Sequence, residues 1–337
     1  MPATARKPAT SSVTDDFIAS GYHVFPGGVD PSAAAALLAD LKATRGWGSS
    51  LFLSEAEFDA DPQYTGVNPK PGRNLLETFE DQLGFVESDP AIVAGLTEML
   101  GSGYQLMNRK VVCGVPASAV PAWLKARITD NPVNNLGAYV KPQYRDVTYF
   151  YGIDFHQDLI DFKDREADFV TLYIYMHPVG RHDAPLFLLE DSHRLGATVF
   201  PHDLKKTDAG WLYRDGRGGW VETTQKQQIG EAGYAAMWHA CTLHGTQPDA
   251  ADNERLSLRY LFAKAPGVRA GMDAVNASLK GPTRLTATRP RPRRQRRRPD
   301  QEQHGQPGLG AMTVNRPAQP RRACRPRHLH RRTSERC

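Results

Sequence analysis

Two short segments, far apart in the chain, constrain its fold more than anything else in the sequence. His156-Gln157-Asp158 is followed 88 positions later by His244, and then by Arg255-Leu256-Ser257. Two imidazoles and one carboxylate are the facial ligand set of non-haem Fe(II), which leaves coordination positions open for a co-substrate and O₂. In an extended strand residues i and i+2 point to one face, so His156 and Asp158 can reach one metal together. His156 is the one histidine with an acid two places on, which fixes the choice of pair. An arginine shortly after the second histidine can pair with a carboxylate of the co-substrate.

The neighbouring residues extend the pattern. Asp154-Phe-His-Gln-Asp158, then Ala184-Pro-Leu-Phe-Leu-Leu-Glu-Asp-Ser-His-Arg-Leu-Gly196, then His244-Gly245 and Arg255 follow one another in order. Together they resemble the phytanoyl-CoA dioxygenase family of Fe(II)/2-oxoglutarate oxygenases. The middle segment is similar to that family's Gly-Ser-His-Lys-x-Gly signature, with Asp191 in place of the usual glycine. Asp16 to Phe25 resembles the family's opening strand and turn, and the likeness spans roughly residues 14–265.

The chain reads in three parts. Residues 1–13 form a disordered leader, 14–280 the Fe(II)/2-oxoglutarate dioxygenase domain, and 281–337 a disordered Arg/Pro-rich tail. That tail holds 16 arginines, no lysine and three acids, a charge of +13 against −8 for residues 1–280. It has too little apolar surface to offset its ordering entropy. Three readings of it stand: an out-of-frame read of a GC-rich gene, a disordered extension, or a nucleic-acid-binding tract. The last is disfavoured because no Phe, Tyr or Trp follows Phe262 to stack on bases. No apolar run spans a membrane, and the first residues lack the apolar segment of a secretory signal. Four cysteines without ligand or scaffold spacing fit a reducing, cytoplasmic setting.

Within the domain, Tyr22–Phe25 reads as a strand and Gly27-Gly28 as a turn. Asp30-Pro31 starts a helix that runs to about Thr44, and Pro90–Leu100 forms a second. Residues 46–75 read as a long ordered loop. Strands follow over 105–112, 169–176, 235–238 and 256–262, rich in β-branched and aromatic residues. Helices first and short strands after argue for a mainly β core with N-terminal helices packed outside it. The resemblance implies a double-stranded β-helix, the jelly-roll or cupin-like architecture.

It also implies roles. His156, Asp158 and His244 would bind Fe(II), and Arg255 would clasp the distal carboxylate of 2-oxoglutarate, with Arg259 the competitor on the same strand face. Ser257 and Thr246 would lie near the co-substrate, and Lys110 resembles an upstream lysine that helps hold it, although an exposed strand lysine is its simpler reading. The other histidines, including His193, have no partner at ligand spacing. Trp238 and Tyr151 could line a pocket, but half-buried strand aromatics are more often core. Segments 46–75 and 202–230, the latter with Trp211, Tyr213 and Trp220, are candidates for a substrate lid.

The activity implied is hydroxylation of an unactivated C–H in a small molecule, with O₂ consumed and 2-oxoglutarate converted to succinate and CO₂. An intact Asp158 argues against halogenation, for which relatives carry a small residue there. Two alternatives remain: a non-catalytic jelly-roll protein that binds metal, and an oxygenase directed to nucleic acid by its basic tail.

Overall fold

Ser12 starts the first helix: its hydroxyl accepts the Asp15 N–H, and Gly21 ends the helix in the left-handed region at φ 87°. This α1 (Val13–Ser20) occupies part of the segment read from sequence as an opening strand and turn; only Tyr22–Val24, β1, is extended. Asp30 caps α2 (Pro31–Ala43), and Asp89 caps α5 (Pro90–Leu100), each with proline in the first turn. Between them lie α3 (Glu55–Asp59) and α4 (Gly84–Glu87), and α6 (Ala122–Ile128) and α7 (Gly271–Ser278) come later. The computed structural model describes residues 11–60, 74–128, 133–162, 164–246 and 253–285. The chain divides into Met1–Ala287 and Thr288–Cys337, and the second unit lies outside the described residues, as do the leader before residue 11 and most of the Arg/Pro-rich segment.

The strands of the main sheet are β1, β2 (Gln105–Gly114), β3 (Val133–Asn135), β4 (Thr148–His156), β5 (Phe169–Tyr175), β6 (Leu186–Leu189), β10 (Gln225–Gln228), β11 (Ala235–His239), β12 (His244–Thr246) and β13 (Arg255–Ala263). A separate three-stranded sheet holds β7 (Asp203–Thr207), β8 (Gly210–Arg214) and β9 (Trp220–Thr223). The main order is β1-β11-β5-β13-β2-β4-β12-β6-β10, with β3 on β4; β2 and β4 run parallel and the other pairs antiparallel. This curled mixed sheet is the half-barrel of the double-stranded β-helix, with N-terminal helices outside it, as the sequence suggests.

Alternation along the central strands separates two environments. Leu256, Leu258, Tyr260 and Phe262 of β13, with Val170, Leu172 and Ile174 of β5, join the helices in the main apolar core. Arg255, Ser257 and Arg259 project from the other face of β13, into the curl. Tyr173, Tyr175, Trp238, Val112 and Leu188 cluster on that inner side. A strand buried on both faces loses the polar alternation of a surface strand, and every residue of β5 is buried.

The fold does not finish with β13. The last helix, α7, packs against α1 and α5. Beyond it, the carbonyls of Pro282 and Thr283 accept the N–H groups of Ala197 and Ala167. Residues 281–285, assigned to the tail by composition, thus hydrogen-bond to the body.

Candidate metal centre

His156 is the last residue of β4 and His244 the first of β12, and the two are direct cross-strand partners. Their ring centroids are 4.3 Å apart. Gly245 permits this approach, since a Cβ there would stand 2.7 Å from the Ile153 carbonyl oxygen. Asp158 lies just beyond the strand, at the start of a 3₁₀ turn, Asp158–Asp161. Gln157 between them stays extended at φ −98°, ψ 137°, so the two-residue alternation carries through. One ligand atom from each of His156, Asp158 and His244 lies within 4.8 Å of the others.

The imidazoles are oriented by the backbone. His156 Nδ1 donates to the Asp154 carbonyl at 3.0 Å, and His244 Nδ1 to the Thr242 carbonyl at 3.1 Å. A carbonyl can only accept, so the proton sits on Nδ1 and Nε2 is left as a lone-pair donor. Burial pushes the His244 imidazole down to about 3 despite the pull of Asp158, which keeps it neutral and ready to ligate. His244 Nε2 stands 3.6 Å from Asp158 Oδ2.

Asp158 is almost fully buried. Burial alone would raise its carboxyl, but Arg259, His244, His156 and the Thr171 hydroxyl hold it well below the usual carboxylate range. Thr171 Oγ1 donates to Oδ2 at 2.5 Å and Trp238 Nε1 at 3.0 Å, while Arg259 pairs with Oδ1. Donors on both oxygens fix the carboxylate as an anion. Arg259, which the sequence offered as a rival for the co-substrate, is here engaged with the carboxylate of the triad. Thr171 and Trp238 were missed as polar partners of Asp158. The available signal was alternation: Thr171, Tyr173 and Tyr175 put three hydroxyls on one face of a strand.

A cavity of about 180 Å³ holds the triad. Its closed end is lined by buried Val112, Tyr173, Leu186, Trp238, Thr246 and Arg255 with half-buried Phe150 and Ile153 in register with them, and its open side by half-buried Lys110 and Ile160 with exposed Asp161. Arg255 is 2% exposed. It donates to the Ala184 carbonyl, to Thr246 Oγ1 at 3.3 Å and to the Tyr173 hydroxyl at 3.5 Å. No carboxylate pairs with it among the described residues, and its Nε has no partner. Ser257 Oγ is also buried without a partner. Thr246 donates to the Ala184 carbonyl at 3.0 Å. Lys110 lines the cavity rather than standing free on the surface; burial and Arg259 lower its ammonium to about 8, against Asp161 and Asp158.

Behind the triad, Gln157 points away from the cavity. Its amide donates to the carbonyls of Gly196 (2.8 Å) and Cys241 (2.9 Å), and its oxygen accepts Thr198 N–H at 3.0 Å. The Ser192-His193 turn packs on the same side, where Ser192 Oγ accepts the Leu243 N–H beside His244. Asp191 holds φ 62°, the left-handed region that glycine adopts without strain. His193 is buried, with its ring 6.2 Å from that of His239.

Residues 61–73 of the first lid candidate lie outside the described residues. No residue of 202–230, and no described residue of 46–75, lines the cavity. Trp211 instead stacks edge-on to Phe155 at 5.4 Å, Tyr213 bonds Thr198, and Trp220 is solvent-exposed. Their aromatic content serves a small sheet of its own, whose strands the composition did not reveal. Tyr151 packs on the main core and does not line the cavity.

The chain matches no family model and no curated protein sequence. It is similar in fold to solved structures. The non-haem monooxygenase ThoJ, in its apo form, is 14% identical over 75% of this chain and 77% of ThoJ, with a TM-score of 0.46. The epimerase SnoN from nogalamycin biosynthesis, in complex with Fe³⁺, α-ketoglutarate and nogalamycin RO, is 16% identical over 81% of this chain and 94% of SnoN, TM-score 0.45. HygX from Streptomyces hygroscopicus, with iron bound, is 12% identical over 77% and 88%, TM-score 0.43. At these identities the likeness is one of fold. Among the described residues no helix is long and apolar enough to cross a membrane.

Proposed function

We propose that this chain is an Fe(II)- and 2-oxoglutarate-dependent dioxygenase that hydroxylates a small molecule. The observation that carries the reading is Arg255. A guanidinium buried without an acidic partner is costly unless a ligand supplies the anion, and this one faces the cavity that holds the triad. The residues fit the missing groups. His156, Asp158 and His244 offer two free Nε2 atoms and a fixed carboxylate, and would hold Fe(II). Arg255, with Thr246 beside it and the unpartnered Ser257 hydroxyl, would hold the distal carboxylate of 2-oxoglutarate. Bound together, metal and co-substrate supply O₂ activation coupled to oxidative decarboxylation, giving succinate and CO₂ and oxidising an unactivated C–H.

The chain's own contribution is placement. Thr171, Trp238 and Arg259 keep Asp158 ionised and aimed, and the backbone carbonyls of Asp154 and Thr242 keep both imidazoles in one tautomer. Aromatic and aliphatic walls exclude water from the closed end. We assign the chain more finely to the phytanoyl-CoA dioxygenase family, on the quoted motifs and on Asp191, whose left-handed backbone suits the glycine of that signature.

The test is an anaerobic titration of the purified protein with Fe(II) and 2-oxoglutarate, following their visible charge-transfer band. The band should disappear in His156→Ala and weaken in Arg255→Ala, and succinate should form once O₂ is admitted. A folded protein that gives no band would remove the reading.

A further inference from the structure

The cavity holds two further cationic side chains besides Arg255. Lys110 and Arg259 are direct cross-strand partners on β2 and β13, and both line the cavity. Like charges placed opposite each other in a sheet repel. Asp158 satisfies one Arg259 nitrogen, but no side chain among the described residues forms an ion pair with Lys110. Asp161 is the other acid on this side, and it is exposed at the rim.

Position separates this pair from Arg255. Arg255 sits opposite Gly114, four residues along β13 from Arg259, or about 13 Å at strand spacing. Arg255 is at the buried end, in register with Gly114 and Phe150; Lys110 and Arg259 are on the other side, with half-buried Ile160 and exposed Asp161 also in the lining. Charge points the same way. Three cations (Lys110, Arg255, Arg259) face two acids (Asp158, Asp161), and a divalent metal with a dianionic co-substrate leaves that surplus of one positive charge unchanged.

We infer that Lys110 and Arg259 form the recognition site for an oxyanion, a carboxylate in the first instance, on the molecule to be oxidised. Its remaining body lies against Ile160. This deepens the proposed function and rests on it: the co-substrate fills the closed end, and a monoanionic substrate covers the mouth. Lys110 thereby serves the substrate and not the 2-oxoglutarate to which sequence resemblance tied it.

The test uses the full chain loaded with Zn(II) and N-oxalylglycine, an unreactive stand-in for metal and co-substrate, and calorimetric titration with benzoate or its neutral amide, benzamide. Benzoate should bind at least about tenfold more tightly than benzamide. Lys110→Met, at a half-buried position that a straight apolar chain can fill, should remove that preference and leave N-oxalylglycine affinity within about twofold, whereas Arg255→Met should lose N-oxalylglycine. Arg259→Lys keeps the charge and should retain part of the preference. Benzoate binding no tighter than benzamide would overturn the inference and leave the proposed function standing. So would a Lys110→Met variant that loses N-oxalylglycine as Arg255→Met does, since Lys110 would then hold the co-substrate. If wild-type protein carrying Zn(II) fails to bind N-oxalylglycine at all, the proposed function fails and this inference with it.

Discussion

At the scale of single residues, the centre depends on how Asp158 is held. Two of its three donors are neutral: Thr171 at 2.5 Å and Trp238 at 3.0 Å, both on Oδ2. Groups that orient a metal ligand typically contribute 10- to 100-fold in metal affinity. Thr171→Val preserves shape and removes one donor; Trp238→Phe keeps most of the apolar body and removes the other. Each should weaken Zn(II) binding about tenfold, read by competition with a chromophoric chelator, while the circular dichroism spectrum stays native. Unchanged affinity in both variants would mean that Arg259 alone fixes the carboxylate. The triad itself was legible because metal coordination demands particular atoms at particular spacings. Thr171 and Tyr173 were not, and Trp238 was legible as a candidate pocket wall but not as a donor to Asp158, because an aromatic or β-branched residue in a strand carries the same signal whether it packs or donates a hydrogen bond. Arg255 and Arg259 share a strand face, so sequence offered both for one carboxylate; the structure separates them, since Arg259 pairs with Asp158 and Arg255 has no carboxylate among the described residues.

At the scale of elements, the end of β4 is pinned from behind. Gln157 is fully buried and satisfies three backbone groups: the carbonyls of Gly196 and Cys241 and the N–H of Thr198. Leucine has similar bulk but none of these bonds, and each buried backbone group left unpaired costs about 1–3 kcal/mol. Gln157→Leu should therefore destabilise the metal-free protein by about 3 kcal/mol or more, measured as a fall in the urea midpoint at unchanged slope. A loss below about 1 kcal/mol would show that water replaces the amide. Long strands such as 105–114 and 255–263 were legible from β-branched and aromatic runs. β4 was harder to see, because Gly152 and Asp154 interrupt its Thr-Tyr-Phe-Tyr start. So was α1: its eight residues hold few apolar positions, and its strongest cue is the Ser12 cap rather than a periodic face. Short elements of this kind take their form from what they pack against.

At the scale of the whole molecule, the separation of a helical layer from a curled sheet followed from the order of elements in the chain. The burial of polar groups did not, because a histidine reads alike in a loop and in a core. Three histidines outside the triad are held neutral by burial: His193 and His202 are pushed down to about 3, and His239 to about 4. For His239 the bonding agrees, since Nδ1 accepts the Cys241 N–H and Nε2–H donates to Asn276 Oδ1. In the unfolded chain each would titrate near 6.5. Between the folded and unfolded values the unfolded state binds more protons, so the contribution to stability is complete above about pH 6.5 and is lost as pH falls toward 3–4. Each group costs about 1.4 kcal/mol for every pH unit below 6.5, so together they remove about 4 kcal/mol by pH 5.5, before most carboxylates titrate. Urea denaturation of the metal-free protein between pH 7.5 and 5 should follow that slope, steepening below 6.5. His239→Gln, which can still accept from Cys241 and donate to Asn276, should make it shallower by about one third. A stability flat across this range would mean that these imidazoles protonate in place, and that the core around the centre admits water.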